Sequence, residues 1–313
     1  MKYQNILFKN LVIYRFTQPF DLSATELEEK LKARTARNCD SQEFSTYGFS
    51  PALANGTSAL VHEYGNCLLI RATKEEKILP SSVIRDRLEE RIEEIETLEC
   101  RQVYSKERRS LKDDIIMELL HKAFTRQKET LAYIDKDKGW LLVDASSFKP
   151  AEEITSALRE CLGSLPIVLP ATKNLPCHVL TEWLNYQTPA KGFAISYNCT
   201  LREPGDDAAT ITARNEDLTG SIAIGEHLAA GKMVSKLSVD WQEAFSCQLH
   251  EDFRVSQIRY HGIFQDEQDS READTAEEQA FHDYQVMTYF FRCFLEDWTH
   301  AFGGLESHQS KPA

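Results

Sequence analysis

The sequence predicts an α+β fold: mixed sheets that carry a protruding two-helix arm, with a C-terminal unit of sheet and helix. Three observations predict it. Runs of period two come in pairs around turn residues, and they do not alternate one for one with helical runs as a doubly wound fold requires. Two consecutive helical patterns fill residues 81–125, each with one narrow apolar stripe and otherwise charged faces. The C-terminal half mixes strands and helices and closes on an aromatic-rich helical stripe, Phe281, Tyr284, Thr288, Phe291, Leu295, Trp298 and Phe302, ended by Gly303-Gly304.

Residues 5–16 alternate as a strand. Ser23 with Glu26 three residues on is a capping-box signature, and predicts a helix over 24–37. Residues 38–57, with Pro51 and Gly56, read as loop. Gly65-Asn66 splits the next run into a hairpin, 59–64 with 67–73. Pro80 and Ser81-Ser82 start a helix whose Ile84, Leu88, Ile92, Ile95 and Leu98 share a stripe. A second helix over about 106–125 carries Leu111, Ile115, Leu119 and Leu120. The two helices would form the arm, with Phe124 near its end.

Strands at 130–135 and 140–145 form another hairpin, and Pro150 and Gly163 bracket a helix. A short strand at "SLPIV", a helix at "VLTEWLNYQ" and strands at 192–201 and 208–214 follow. A helix over 219–230, closed by Gly231, leads into the strands of "KMVSKLSVDW" and the hairpin after it. Residues 264–278 read as a solvated acidic link.

Composition excludes several classes. The chain has 313 residues, 42% of them apolar and 27% charged, which suits a globular protein of two or three packed units. No apolar run is long enough to cross a bilayer and the first residues lack a signal-peptide cleavage pattern, so a cytoplasmic location is expected. The eight cysteines are scattered with no CxxC pair, which fits buried thiols and not a metal site. No cofactor motif, GxSxG elbow, HExxH or GxGxxG is present. "GEHLAAGKM" (225–233) has five residues between its glycines and Met233 after the lysine. It fails as a P-loop and reads as a helix C-cap entering a strand. Cys177 and His178 are chain neighbours, which seldom face each other as nucleophile and base, so no catalytic residue is assigned.

Net charge is −13, but residues 240–313 alone carry −10 and the first 37 residues carry +3. An acidic chain with so uneven a distribution can still present a basic face. Residues 74–128 hold thirteen Lys and Arg among many Glu. They form intrahelical ion pairs, or they bind nucleic acid if one wall collects the cations. In "ELLHKAFTRQKETL" (118–131), Phe124 is either the last core residue of its helix or an exposed knob.

Several segments in order, "LFKNLVIYRF" (7–16), "RATKEEKILPSSVI" (71–84), "SLKDDIIMELLHKAFTR" (110–126), "SLPIV" (164–168), "LTEWL" (180–184) and "GKMVSKLSVDWQ" (231–242), resemble the bacterial recombination-associated protein RdgC family. The resemblance runs to about residue 260 and loosens through the last helix. It implies a non-enzymatic, non-sequence-specific DNA-binding protein, nucleoid-associated, whose two subunits close into a ring-shaped homodimer with a basic hole for duplex DNA. It implies restraint of RecA-mediated recombination by competition for DNA. Single strands are left open as a second ligand.

With the resemblance, Phe124 matches the aromatic at the family's arm tip and is expected to latch the dimer interface. The expected phosphate contacts are Lys74, Lys77, Lys112, Lys122, Arg126, Arg214, Lys232 and Lys236. One stretch departs from the family. Where a basic "RAKKQDL" can stand, this chain has "TARNEDL" (212–218), which keeps only Arg214 and adds Glu216. The expected domains are a central one of 1–73 plus 130–170, the arm of 74–129, and a base of 171–313. The alternative is a non-catalytic protein–protein adaptor that uses the charged arm and has no affinity for DNA.

Overall fold

The computed structural model describes residues 6–53, 58–205, 209–270 and 275–306. Parts of the expected 5–16 and 208–214 strands, the 38–57 loop and the 264–278 link (residues 5, 208, 54–57 and 271–274) lie outside them. In chain order the first elements are β1 (Val12–Phe16), α1 (Ala24–Leu31), β2 (Ser45–Ser50), β3 (Val61–Tyr64), β4 (Cys67–Lys77), α2 (Ser81–Glu99), α3 (Ser105–Lys122), β5 (Thr125–Asp135) and β6 (Trp140–Val143). Then come α4 (Phe148–Leu162), β7 (Ile167–Val168), α5 (Pro176–Tyr186), β8 (Phe193–Arg202), β9 (Thr210–Ala213), α6 (Ile222–Ala229), β10 (Met233–Trp241), β11 (Phe245–His250), β12 (Val255–Tyr260), α7 (Ile263–Gln268) and α8 (Ala276–Ala301). The class is α+β, with antiparallel sheets and helices, as expected.

The described residues fall into two compact units. The larger lies within Met1–Lys30, Pro51–Arg71 and Thr130–Ala313, the smaller is Leu31–Ser50 with Ala72–Glu129. The unit boundaries fall inside α1, β4 and β5 and at the end of β2.

In the larger unit, β1 pairs with β6 and β7, β5 with β6, and β3 with β4, all antiparallel. A second sheet has the order β12-β11-β10-β8-β9. Its inner face packs Leu201, Val234, Leu237, Val239, Phe245 and Leu249 into one core with α5 and α8. α8 buries Met287, Phe290 and Phe294 besides the expected stripe, so its apolar face is broader than that stripe, and Glu278, Tyr289 and Glu296 keep the opposite side in solvent. Arg292 forks onto Asp135 of β5 (2.6 and 2.8 Å), which anchors the middle of α8.

The expected strand 5–16 begins only at Val12. Residues 8–11 turn away to the second sheet: Leu11 and Val255 exchange backbone hydrogen bonds (2.7 and 3.0 Å), and the Lys9 carbonyl accepts from the Ile258 amide. Alternation shows that a segment is extended, not which strand it pairs with. The expected helix 24–37 ends at Leu31, followed by one tighter turn. Its capping box is formed: the Glu26 amide donates to Ser23 Oγ, and the Ser23 amide donates to Glu26 Oε2 (2.9 Å). The Gly225–Met233 segment is the end of α6 and the start of β10, joined by Gly231 at φ +89°.

In the smaller unit, α2 and α3 pair through the turn 100–104, and strands follow the order β2-β4-β5. β2 lies in what the sequence presents as loop. Gly48 permits it, because a Cβ there would stand 2.6 Å from the Ala36 amide nitrogen. β4 runs four residues past its expected end, and β5 starts five before its expected start. These additions, "KEEK" and "TRQKE", are charged and lack apolar alternation. Gln127 donates to Glu75 (3.0 Å) and Arg126 to Glu76, so cross-strand polar pairs replace it.

Candidate nucleic-acid interface

The outer face of the second sheet forms a groove of about 790 Å³. Along β10 the side chains of Val234, Leu237, Val239 and Trp241 enter the core, and Ser235, Lys236 and Ser238 line the groove. β8 and β9 add Tyr197, Asn198, Thr200, Thr210 and Thr212; β11 and β12 add Ser246, Gln248, Gln257 and Arg259. Arg214 and Asn215 follow β9. Among the described residues the lining is thus hydroxyls, amides, the Cys247 thiol and three cations, with no carboxylate.

Broken register shapes this face. Val234 pairs with Leu201 and Lys236 with Thr200, so Ser235 is an extra residue on β10. Leu237 pairs with Cys199 and Val239 with Ile195, so Ser196, Tyr197 and Asn198 lie opposite Ser238 alone. Ser246 pairs with Arg259 and Gln248 with Ser256, which leaves one extra residue on β12, beside Gln257 at φ +55°. Bulges bend and twist a strand. Three of them on one face account for its concavity.

Arg214, Lys236 and Arg259 have no carboxylate partner among the described residues. Below the groove, burial, then the nearby Arg254 and Lys236, push the His250 imidazole down to about 4. It is neutral at neutral pH and shares a hydrogen bond with Ser256 Oγ (2.7 Å). Lys232 is placed differently. Its side chain is 10% exposed and its ammonium lies 2.5 Å from Glu203, so it is committed within the fold.

The smaller unit answers the question of segregation. Arg85, Arg108, Arg109 and Lys112 line a groove with Ile84 and Leu88 that among the described residues has no carboxylate in its wall, although Arg85 lies 3.5 Å from Asp86. Arg87 and Arg91 line another depression with Glu90, Glu94, Asp114 and Glu118, where they pair with Glu90 and Glu94. On β4 and β5, the Arg126 hydrogen bond and then the charges of Lys74 and Lys128 hold the Glu76 carboxyl below its ordinary range. Three cations thus surround one carboxylate. The Gln127 hydrogen bond, with a weaker contribution from Lys77, does the same to Glu75. Lys122 is exposed at the end of α3.

Phe124 is 85% exposed, whereas Leu120 is fully buried and ends the helix core. The Phe124 carbonyl accepts from the Ile78 amide (2.8 Å). It therefore sits where α3 meets the strands, not at the α2–α3 turn. An 18-residue helix separates the two places, about 27 Å.

Of the contacts expected from the sequence, Arg214 and Lys236 line this groove; Arg259 lines it as well and was not among them. A signal was present. The outward positions of five consecutive strands carry Ser, Thr, Asn and Gln almost without acid, in a chain with 49 Asp and Glu. A concave face of cations and neutral donors suits a polyanion backbone.

Residues 6–305 match the family model described as "Putative exonuclease, RdgC". The chain is 41% identical over 303 residues to the recombination-associated protein RdgC of Pseudomonas fluorescens strain Pf0-1, covering 96% of this chain and 99% of that one. It is 40% identical over the same span, with the same coverage, to its namesake from Pseudomonas aeruginosa strain PAO1. The chain belongs to the RdgC family.

Proposed function

We propose that this protein binds DNA without sequence specificity and without catalysis, closes as a homodimeric ring around the duplex, and restrains RecA-mediated recombination by competing for DNA. The observation that carries the proposal is the concave sheet face, which among the described residues has three cations without a carboxylate partner and no carboxylate in its wall. It supports phosphate contacts from Arg214, Lys236 and Arg259, with Lys74, Lys77, Lys112, Lys122 and Arg126 as further contacts from the smaller unit. Arg108 and Arg109 join Lys112 in this reading, and Lys232 is left out because its side chain is buried against Glu203, whereas Arg126, though paired with Glu76, is exposed. The ring would have a centre of 1–73 plus 130–170, an arm of 74–129 and a base of 171–313. Phe124 would latch it by filling a pocket on the other subunit. The protein would work in the cytoplasm at the nucleoid.

The family description names an exonuclease. Metal-assisted phosphodiester cleavage needs acidic ligands at the scissile phosphate. Among the described residues no group of three or more His, Cys, Asp and Glu could hold a metal ion. The groove offers cations and amides instead, which position phosphates but do not cleave them.

The test is anisotropy of a labelled duplex across a salt series. Three groove cations per subunit, six in a dimer, give a log–log slope of about −5. A comparable slope on unrelated sequences supports the proposal. No binding at low salt overturns it in favour of the adaptor reading. Shortening of DNA in magnesium or manganese overturns the non-catalytic part.

A further inference from the structure

We infer that Tyr197 is a base-stacking platform, so that the sheet groove holds a single nucleic-acid strand with its phosphates on the cations and a base on the tyrosine ring. This rests on the nucleic-acid reading of the groove and names the form of ligand that the groove distinguishes.

Among the described residues Tyr197 is the one aromatic side chain in a lining otherwise made of polar groups, cations and the Cys247 thiol. It is 63% exposed and has no aromatic neighbour among the described residues. A single exposed tyrosine is ordinary. This one, however, stands at the centre of the β8 bulge, where Ser196, Tyr197 and Asn198 face Ser238 alone. Two extra residues break the alternation there and re-aim a side chain that a regular strand would place by its parity. The bulge is fixed from behind. The Tyr197 carbonyl accepts from the Glu216 amide (3.1 Å), and Asn198 Oδ1 accepts from the Asn215 amide (3.0 Å). The same bonds tie the backbone beside Arg214 to the bulge, so Tyr197 and Arg214 are carried by hydrogen-bonded neighbouring segments.

An aromatic face in a cationic groove is the arrangement that binds single strands, because every unpaired base has a π-face. In a duplex the bases are stacked inside and the ring has none to meet. The phosphates of both forms can use Arg214, Lys236 and Arg259, but only a single strand can use Tyr197.

The experiment compares three labelled probes by anisotropy at one salt concentration: a thymidine oligonucleotide, an abasic oligonucleotide of equal length, and a duplex. Wild-type protein should bind the thymidine strand roughly tenfold more tightly than the abasic one. Tyr197→Ala should erase that difference and leave duplex affinity within about twofold, and Tyr197→Phe should retain it, because stacking needs the ring and not the hydroxyl. Equal wild-type affinity for the thymidine and abasic strands overturns the inference. So does equal weakening of duplex and single strand by Tyr197→Ala, or a Phe variant as weak as the Ala one, which would assign the hydroxyl to a phosphate. Wild-type protein that binds no probe at low salt overturns the underlying reading of the groove, and the inference with it.

Discussion

Asp283 offers a pH-dependent test of how the larger unit is held together. It lies on α8 with no exposed surface. Gln268 and Gln279 both donate to its Oδ1 (2.8 and 2.9 Å), and Oδ2 has no hydrogen-bond partner among the described residues. Burial pushes its pKa from the ordinary 3.8 up to about 6. The sign follows directly. The folded carboxyl holds its proton more firmly than the unfolded one, so its contribution is complete below about pH 4 and is lost as pH rises through about 6. Above that, folding carries a buried charge. At about 1.4 kcal/mol per pH step the ceiling is about 3 kcal/mol, and residual hydration lowers the expectation to about 1–2 kcal/mol.

Asp283→Asn keeps the Oδ1 acceptor and removes the charge, but it leaves an amide in place of the orphaned oxygen at about 1 kcal/mol. Relative to wild type, the variant should therefore gain about 1–2 kcal/mol between pH 4 and pH 8. The assay is urea unfolding followed by tryptophan fluorescence. All four tryptophans (Trp140, Trp183, Trp241 and Trp298) lie in the larger unit, so the signal reports on it alone. A stability difference that stays constant from pH 4 to pH 8 refutes the reasoning, and would mean that the folded carboxyl ionises at its ordinary pH.

Removing the guanidinium at Arg292 with Arg292→Met strands Asp135, which is 1% exposed, as a buried unpaired carboxylate. A loss of about 3–5 kcal/mol is expected, most of it recovered in the double variant with Asp135→Asn, and a double-mutant cycle on urea midpoints checks it. Gly262→Ala would place a Cβ 2.2 Å from the Glu243 carbonyl oxygen at φ +51°, so it should cost more than about 2 kcal/mol. Gly225→Ala, in α6 with nothing within 4 Å, should instead gain about 0.5–1 kcal/mol; thermal melts of the pair separate the two cases. Phe124→Ala should leave unfolding within about 0.5 kcal/mol, because the ring is exposed. If the ring is the latch, sedimentation should show dimer dissociation strengthened by about 2 kcal/mol, roughly thirtyfold.

What the sequence disclosed depended on whether the cause was local. α2, the β3–β4 hairpin, the Ser23 capping box and the α8 stripe rest on contacts within a few residues, and each is read from periodicity or a cap. The charged ends of β4 and β5 were not legible, because their pairing partners are about fifty residues apart and no apolar alternation marks them. Neither was the departure of residues 8–11 toward Val255 and Ile258, a choice between two sheets that a single extended segment cannot reveal.

The groove lies between these cases. Lys236 and Arg214 were legible as cations, but Lys232 looked equivalent to Lys236 until the fold set Glu203 against it. Bulges decide which residues face outward, and a bulge has no period. With perfect alternation from Val234, Ser235 and Lys236 would point to opposite faces; the extra residue puts both in the groove. The same irregularity that hid the site from the sequence is what curves it. A flat, regular version of this sheet would spread its cations over an open surface. The bent one gathers Arg214 beyond β9, Lys236 on the central strand and Arg259 on the opposite edge around one concavity, whose wall holds no carboxylate among the described residues. Binding of a polyanion follows that local field and not the net charge of −13.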